Sequence, residues 1–359
     1  PIMGAAAFIM AEFLGIPYLK VCIAAAVPAV LAFFATFMQV HFRAVTLGLT
    51  GIPRDKLPKI REALARGWYH LFSIFLLIFF LFQDFSPERA VFWAILSSVA
   101  SSFIMTLIRK ESVRQFGKQI LDAMIEGAVG SVEVAAACAA AGIIIGSITM
   151  SGLGIKFSSY VVDASGGNLY LALPFTIIAC ILLGMGVPTT AQYIIISSLV
   201  APALVNMGVL PIAAHLFVRY FGTRADITPP VALAAYAGAG IAQSDPWKTG
   251  LAAFKLGIAG FIIPFMFVYA PELLFVGSFW KILPALFTAT FGVYCLAAAV
   301  QRCLLVKTTW YEALLLLVTA LLLIKPGIQT DLAGAAMFIV VFTLQWFRRK
   351  REGGPVKAA

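Results

Sequence analysis

The sequence has little charge and few of the side chains that ordinarily do chemistry. Charged residues fill 12% of its 359 positions, about half the share usual in a soluble domain, which excludes a water-facing surface over most of the chain. Only three histidines occur, His41, His70 and His215, and the acidic residues Glu12, Glu126 and Glu133 are scattered. Without an HExxH or DDxxD-like cluster, a membrane-embedded enzyme would lack its ligand set or its nucleophile and base; it stays as a remote alternative. The five cysteines, Cys22, Cys138, Cys180, Cys295 and Cys303, include no CxxC pair and sit in or beside apolar runs. They read as small core residues rather than a disulfide framework or a metal site. The opening PIMGAAAFIMAE has no initiator methionine, basic n-region or cleavage site, so it is no signal peptide. Its abrupt apolar start on proline points to a fragment of a longer polypeptide.

What is present is apolar sequence, 62% of all residues, in recurring runs long enough to cross a bilayer. Spans are expected at 18–42, 68–83, 90–109, 128–151, 169–205, 251–276, 280–300, 309–324 and 332–347. The net charge of +10 falls in the connections between runs, with no basic patch interleaved with aromatics, so it reads as the positive-inside bias and not as a nucleic-acid surface. Arg43, Arg54, Lys56, Lys59, Arg61 and Arg66 mark one cytoplasmic connection, and Arg109, Lys110, Arg114 and Lys118 the next. Onward alternation puts Lys156 and Asp163 outside, and Lys248, Lys255, Arg302, Lys307 and the RRKR tail (348–351) inside, with the C-terminus cytoplasmic. Apolar residues recur at helical spacing in both connections. Amphipathic arms on the membrane surface are therefore expected at 54–66 and 111–126.

Two regions break the pattern. Segment 211–243 is too long for an ordinary span, and DITPP divides it. Two prolines cannot continue a helix without loss of backbone hydrogen bonds, and Thr228, preceding one, is driven toward extended geometry. The expectation is a re-entrant hairpin with arms 211–225 and 231–243, a non-helical tip at 226–230, and Pro230 in the first turn of the returning arm. Segment 169–205 carries GMGVPTTAQ (184–192), which suits an unwound turn at mid-depth. Segment 128–151 reads as a close-packing helix rich in small residues, or as a third break. PIMGAAAF (1–8) resembles PVALAAYA (230–237), so Pro1 would tip a first hairpin of which 1–13 is the remainder. Two hairpins of opposite orientation point to an inverted-repeat transporter.

Half-helix ends at mid-membrane offer N–H groups to anions and carbonyls to cations. With those carbonyls, the hydroxyls of Thr189, Thr190 and Thr228 would suit Na⁺. Arg224 is a candidate anion partner and Asp226 a candidate site residue, since intramembrane charge is costly; the two could equally pair with each other, and Arg219 and His215 could reach toward the cytoplasm.

The stretches PIMGAAAFIMAEFLG, GMGVPTTAQYIIISSLVAPAL and FGTRADITPPVALAAYAGAGIA resemble the large membrane subunit of tripartite ATP-independent periplasmic (TRAP) transporters, nearest to the fused permeases that work with TAXI-type binding proteins. The resemblance covers about 1–275. It implies an all-α polytopic inner-membrane protein of bacteria, an elevator-type fold related to the divalent-anion/sodium symporters, with 1–276 as transport and scaffold domain. Sodium-driven import of carboxylates is implied, with Na⁺ as coupling ion, no organic cofactor, and substrate delivered by a periplasmic solute-binding protein. The small membrane subunit, or the fused helices equivalent to it, is missing from the chain. By position, Pro1 and Gly4 would lie at the first tip, Gly184, Gly186, Pro188, Thr189 and Thr190 in an unwound turn, and Thr228, Pro229 and Pro230 at the second tip. The helices and basic tail of 277–359 would be peripheral additions. A sodium/dicarboxylate symporter of the same broad fold that needs no binding protein is the alternative.

Overall fold

The computed structural model describes residues 6–49, 53, 57, 59–83, 85–187, 189–324 and 327–352. These are helical almost throughout, with no strand, and six helices are long and apolar enough to cross a membrane, or seven if one bent pair counts as a single span. The protein is an all-α polytopic membrane protein.

Two compact units emerge from the packing. One is built from Ala7–Val21 and Gly51–Ala140 and contains nearly all of α1 (Ala6–Leu14), the first turn of α2 (Tyr18–Thr46), α3 (Ile60–Phe82), α4 (Pro87–Ile108) and the N-terminal part of α5 (Val113–Ser151). Helices α3 and α4 form its core as a tight pair. Ser86 starts α4 by accepting from the Arg89 N–H, with Pro87 in the first turn, where a missing N–H costs nothing. Phe80 stacks on Phe85 at 5.0 Å to close the connection.

The arms differ in form from the expectation. Of 54–66, the stretch from Ile60 is simply the beginning of α3, and 54–56 and 58 lie outside the described residues. The second arm and the span after it are one 39-residue helix, α5, about 58 Å long at 1.5 Å per residue. Segment 128–151 is thus unbroken; the chain bends only after it, at Gly152 in the left-handed region, where α6 (Leu153–Ala164) leaves at 68°.

The other unit holds Pro1–Ala6, Cys22–Thr50 and Ala141–Ala359. After α6 come α7 (Leu169–Gly184), α8 (Thr189–Leu199), α9 (Ala201–Asn206), α10 (Pro211–Arg224), α11 (Leu233–Ala242), α12 (Pro246–Leu256), α13 (Ala259–Tyr269), α14 (Phe279–Gln301), α15 (Trp310–Ile324) and α16 (Ile328–Glu352). Side-chain caps set several starts: Asn168 accepts from the Tyr170 N–H before α7, and Asp245 from the Lys248 N–H before α12, each worth about 1 kcal/mol. Helix α10 is the centre, packed by α7, α8, α9 and α13, with Leu216, Phe217, Val218 and Phe221 fully buried. Phe217 meets Phe221 at 4.7 Å and Phe265 at 5.8 Å.

Helices α14, α15 and α16 pack in sequence and hold a buried polar knot. Glu312 and Gln345 are both fully buried. Glu312 accepts from the Thr309 N–H at 2.9 Å and from Gln345 Nε2 at 3.0 Å, and forms an ion pair with Arg348. Gln345 Oε1 in turn accepts from the Leu305 N–H at 3.1 Å, so one network ties the 302–309 connection to both helices. Leaving the fully buried Glu312 without its partner costs more than replacing both partners by apolar groups, although Arg348 keeps part of its side chain exposed. Arg348→Leu is therefore expected to lower the thermal unfolding temperature of the purified protein more than the double variant Glu312→Leu/Arg348→Leu. Equal or reversed shifts would contradict the network's ionic character.

Candidate functional site

The two broken segments exchange the roles expected of them. Helix α7 runs 16 residues, about 24 Å, short of the roughly 30 Å hydrocarbon core. The chain turns after Gly184, through 185–187, and α8 packs back against α7. Ala172, near the start of α7, shares a cluster with Ala203 of α9 and Val161 of α6, so the arms run antiparallel. The two arms form a helical hairpin, whose returning stretch Thr189–Asn206 is itself long and apolar enough to cross a membrane. By contrast α10 packs on α7, α8, α9 and α13, while α11 packs on α12; 211–243 is not folded back on itself. Its halves are 14 and 10 residues, together about 36 Å of helix, enough for one interrupted bilayer crossing. The physical reason lies in the side chains: α10 carries bulky aromatics that demand a surround, whereas α11 (LAAYAGAGIA) has little to bury, leaving Leu233 53% and Ile241 89% exposed. Trading one hairpin for one crossing leaves the charge-derived parity of Lys248 and everything after it unchanged.

Hairpin and crossing are joined by one amide. Gln192, 1% exposed in the returning arm, donates from Nε2 to the Gly184 carbonyl and to the Gly222 carbonyl, both at 2.7 Å. The first is the end of α7, where no next turn supplies a donor; the second lies in α10 just before its break. Both glycines are needed for the approach. A Cβ on Gly184 would stand 2.8 Å from Gln192 Nε2 and 3.2 Å from the Gly222 carbonyl oxygen, and one on Gly222 would stand 3.1 Å from Ile196. Gly186 serves a different purpose: its φ of +75° turns the tip in open space. Next along, Tyr193 Oη lies 2.6 Å from His215 Nδ1, a second link between α8 and α10.

The interruption of the crossing is a 3-10 turn, Ala225–Ile227, followed by non-helical 228–232. Thr228 is extended, with φ −100° and ψ 117°, as its place before proline dictates. Its hydroxyl donates to the Arg224 carbonyl at 2.6 Å, leaving the oxygen's lone pairs for another partner. Pro230 does not open the next helix; Ala232, in the left-handed region, precedes the α11 start at Leu233, and its N–H closes a turn on the Thr228 carbonyl. The Pro230 carbonyl accepts from Tyr236 Oη at 2.8 Å. Pro229 and Tyr236 both lie against Gly250 of α12.

Arg224 and Asp226 do not pair with each other. The Arg224 guanidinium lies across the α12–α13 joint, where a Cβ on Gly260 would fall on it and Gly257 leaves room for Ile227. Asp226, half-buried, interacts electrostatically with Arg219. Arg219 is 7% exposed and His215 is held by Tyr193, so neither reaches away from the site. Of the expected residues, the structure brings Gly184 to α10 beside the interruption that carries Asp226, Thr228 and Pro229. Thr189 is exposed at the start of α8 and Thr190 is buried behind it. Pro1, Gly4 and Pro188 lie outside the described residues. Sequence reading passed over Gln192, Gly222 and Gly260. The only signal was a lone amide just after PTT in an otherwise apolar arm, and two glycines that nothing local requires.

Losing Gln192 would orphan the buried Gly184 carbonyl at the end of α7, at about 1–3 kcal/mol, and take a second donor from Gly222, whose carbonyl keeps the Ala225 N–H, whereas a Cβ in the left-handed region costs about 1–2 kcal/mol. Gln192→Ala and Gly184→Ala are expected to lower the unfolding temperature in detergent more than Gly186→Ala does. An order with Gly186→Ala as the most damaging would refute the clamp.

No curated protein and no solved structure matches the chain. One family model does, over residues 1–282: Tripartite ATP-independent periplasmic transporter, DctM component. That range takes in the hairpin, the interrupted crossing and the glycine-lined joint, and stops at the start of α14. The chain belongs to the DctM-component family of tripartite ATP-independent periplasmic transporters, as its large, multi-pass permease component.

Proposed function

We propose that the protein is a sodium-coupled importer of organic anions, carboxylates above all, in the bacterial inner membrane. The observation that carries this reading is the meeting of a hairpin tip with an interrupted crossing, clamped by Gln192. Such a place presents backbone ends at mid-membrane, where irregular backbone is tolerated only if protein buries it or it lines a cavity. Carbonyls of the 185–187 tip and the 225–232 interruption, with the hydroxyls of Thr189, Thr190 and Thr228, are the proposed Na⁺ ligands, and Asp226 supplies negative charge nearby. Arg224 is the proposed anion partner. An anion gains nothing from a negative-inside potential, so a coupled cation has to supply the drive. Substrate would arrive on a TAXI-type periplasmic solute-binding protein, and a small membrane subunit or its fused equivalent would complete the permease. The hairpin-bearing part of 1–276 would move as an elevator against a scaffold, with 277–359 peripheral to that motion.

The test is uptake of radiolabelled small carboxylates into proteoliposomes containing the permease with its partner components, under an inward Na⁺ gradient. Replacing Na⁺ by K⁺ is expected to reduce uptake at least about tenfold; unchanged uptake rejects the coupling. Uptake that is Na⁺-driven but indifferent to the binding protein would select the binding-protein-independent symporter instead. Thr228→Ala and Asp226→Asn are expected to raise the Na⁺ concentration for half-maximal uptake. Thr228→Ser, which keeps the hydroxyl, is expected to restore it. If both Thr228→Ala and Asp226→Asn leave Na⁺ dependence intact, the ion site is elsewhere.

A further inference from the structure

Beyond the residues that the family model matches, the C-terminal helices share one corner. Helix α14 stops at Gln301, and the 302–309 connection turns back on itself there. The Thr308 N–H donates to the Arg302 carbonyl at 3.0 Å, and the Leu304 N–H to the Val306 carbonyl at 3.3 Å. The last turns of α16 pin this turn from the side. Gln345 Oε1 accepts from the Leu305 N–H at 3.1 Å, and Arg348 Nη1 donates to the Lys307 carbonyl at 3.3 Å. The turn and the end of α16 are thus held together by hydrogen bonds, which fixes where the side chains of both stand.

The corner gathers positive charge. Stretches 302–312 and 345–352 hold Arg302, Lys307 and the basic run 348–351 against two acids, Glu312 and Glu352. Glu312 is fully buried and its charge is taken by Arg348. Arg302, Lys307, Arg349 and Lys350 are exposed, and none pairs with a carboxylate among the described residues. Aromatic rings stand among them. Trp310 and Tyr311 at the start of α15, and Trp346 and Phe347 near the end of α16, are all exposed, and Lys350 Nζ lies 3.9 Å over the Trp346 ring. Exposed tryptophan and tyrosine are enriched at headgroup depth in a bilayer. Further back along α16, Val340, Leu344 and Phe347 are exposed at helical spacing, so they share one apolar stripe that runs up to the cations.

We propose that this corner binds an anionic phospholipid. Arg302, Lys307, Arg349 and Lys350 hold its phosphodiester headgroup, and an acyl chain lies along the stripe of Val340, Leu344 and Phe347. Guanidinium groups meet phosphate oxygens with paired N–H donors, and ammonium groups add point charge. Cations clustered at a membrane surface favour anionic lipid by about fivefold each. A free anion would meet the same cations but leave the stripe and the aromatic rings unused, which favours lipid over inorganic phosphate. The positive-inside bias accounts for cations beside a span. It does not account for a turn that Gln345 and Arg348 fasten to the neighbouring helix so that two separate stretches present their charge together.

The experiment adds phosphatidylcholine, phosphatidylglycerol or cardiolipin to the full purified chain in detergent, and follows bound lipid by native mass spectrometry and stability by thermal shift. Phosphatidylglycerol or cardiolipin is expected to bind and raise the unfolding temperature. Phosphatidylcholine at the same mole fraction, and inorganic phosphate alone, are expected to do neither. The variant Arg302→Gln/Lys307→Gln/Arg349→Gln is expected to weaken anionic-lipid binding at least about tenfold. Without lipid it is expected to unfold at the wild-type temperature, since Glu312, Gln345 and Arg348 are untouched. Arg302→Lys/Arg349→Lys keeps the charge and is expected to keep the lipid. Removing three other exposed cations, in Lys110→Gln/Arg114→Gln/Lys118→Gln, is expected to leave binding unchanged. Should the first variant fail to fold, Arg349→Gln/Lys350→Gln at the exposed end of α16 carries the same comparison. The proposal is overturned if phosphatidylcholine binds as well as the anionic lipids, or if inorganic phosphate displaces them. It is also overturned if the corner variant keeps wild-type affinity, or if the two triple variants weaken binding equally.

Discussion

The structure depends on one rule: in a bilayer an unpartnered backbone carbonyl finds no water, so every helix break must bring its own donor. Four helix ends in the second unit obey it with a side chain. Gln192 serves the end of α7 at Gly184, Thr228 serves the end of α10 at Arg224, Tyr236 serves Pro230, and Gln39 serves the end of α12 at Leu256 at 2.8 Å. These donors come from neighbouring elements as often as from the same one. Satisfying the breaks thus also glues the helices together, in a medium where apolar contact with lipid is as good as apolar contact with protein.

Arginine chemistry follows from the same geometry. Two glycines at the α12–α13 joint leave a flat surface, and the Arg224 guanidinium occupies it. The result is a polar group placed by packing rather than by an ion pair. Small residues elsewhere act alike: Gly184 and Gly222 let a hairpin tip approach a crossing closely enough for one amide to reach both.

The helices after residue 282, beyond the family match, are not loosely attached. Gln301 at the end of α14 donates to Gln39 Oε1 at 3.3 Å, and Gln39 holds the Leu256 carbonyl. Both amides are buried. The C-terminal helices therefore touch the joint on which Arg224 lies, through a chain of two glutamines. Their own knot at Glu312, Gln345 and Arg348 gives them an internal reason to stay ordered.

Where helices must stop is dictated locally, by the residues at each break. PTT after glycine at 184–190 and TPP at 228–230 forbid continuous helix through backbone stereochemistry and missing N–H groups, and apolar runs dictate membrane residence through the cost of exposing them. The order of breaks, the extended Thr228 and the family were all legible on those grounds. Which break folds back on itself and which does not is settled by packing. That choice rests on whether Ala172 meets Ala203 and whether α11 has anything to bury, which are contacts between residues far apart in the chain. For the same reason Gln192 looked ordinary in the sequence: its importance is the distance to Gly222, thirty positions away, and proximity of that kind is fixed by packing rather than by local pattern.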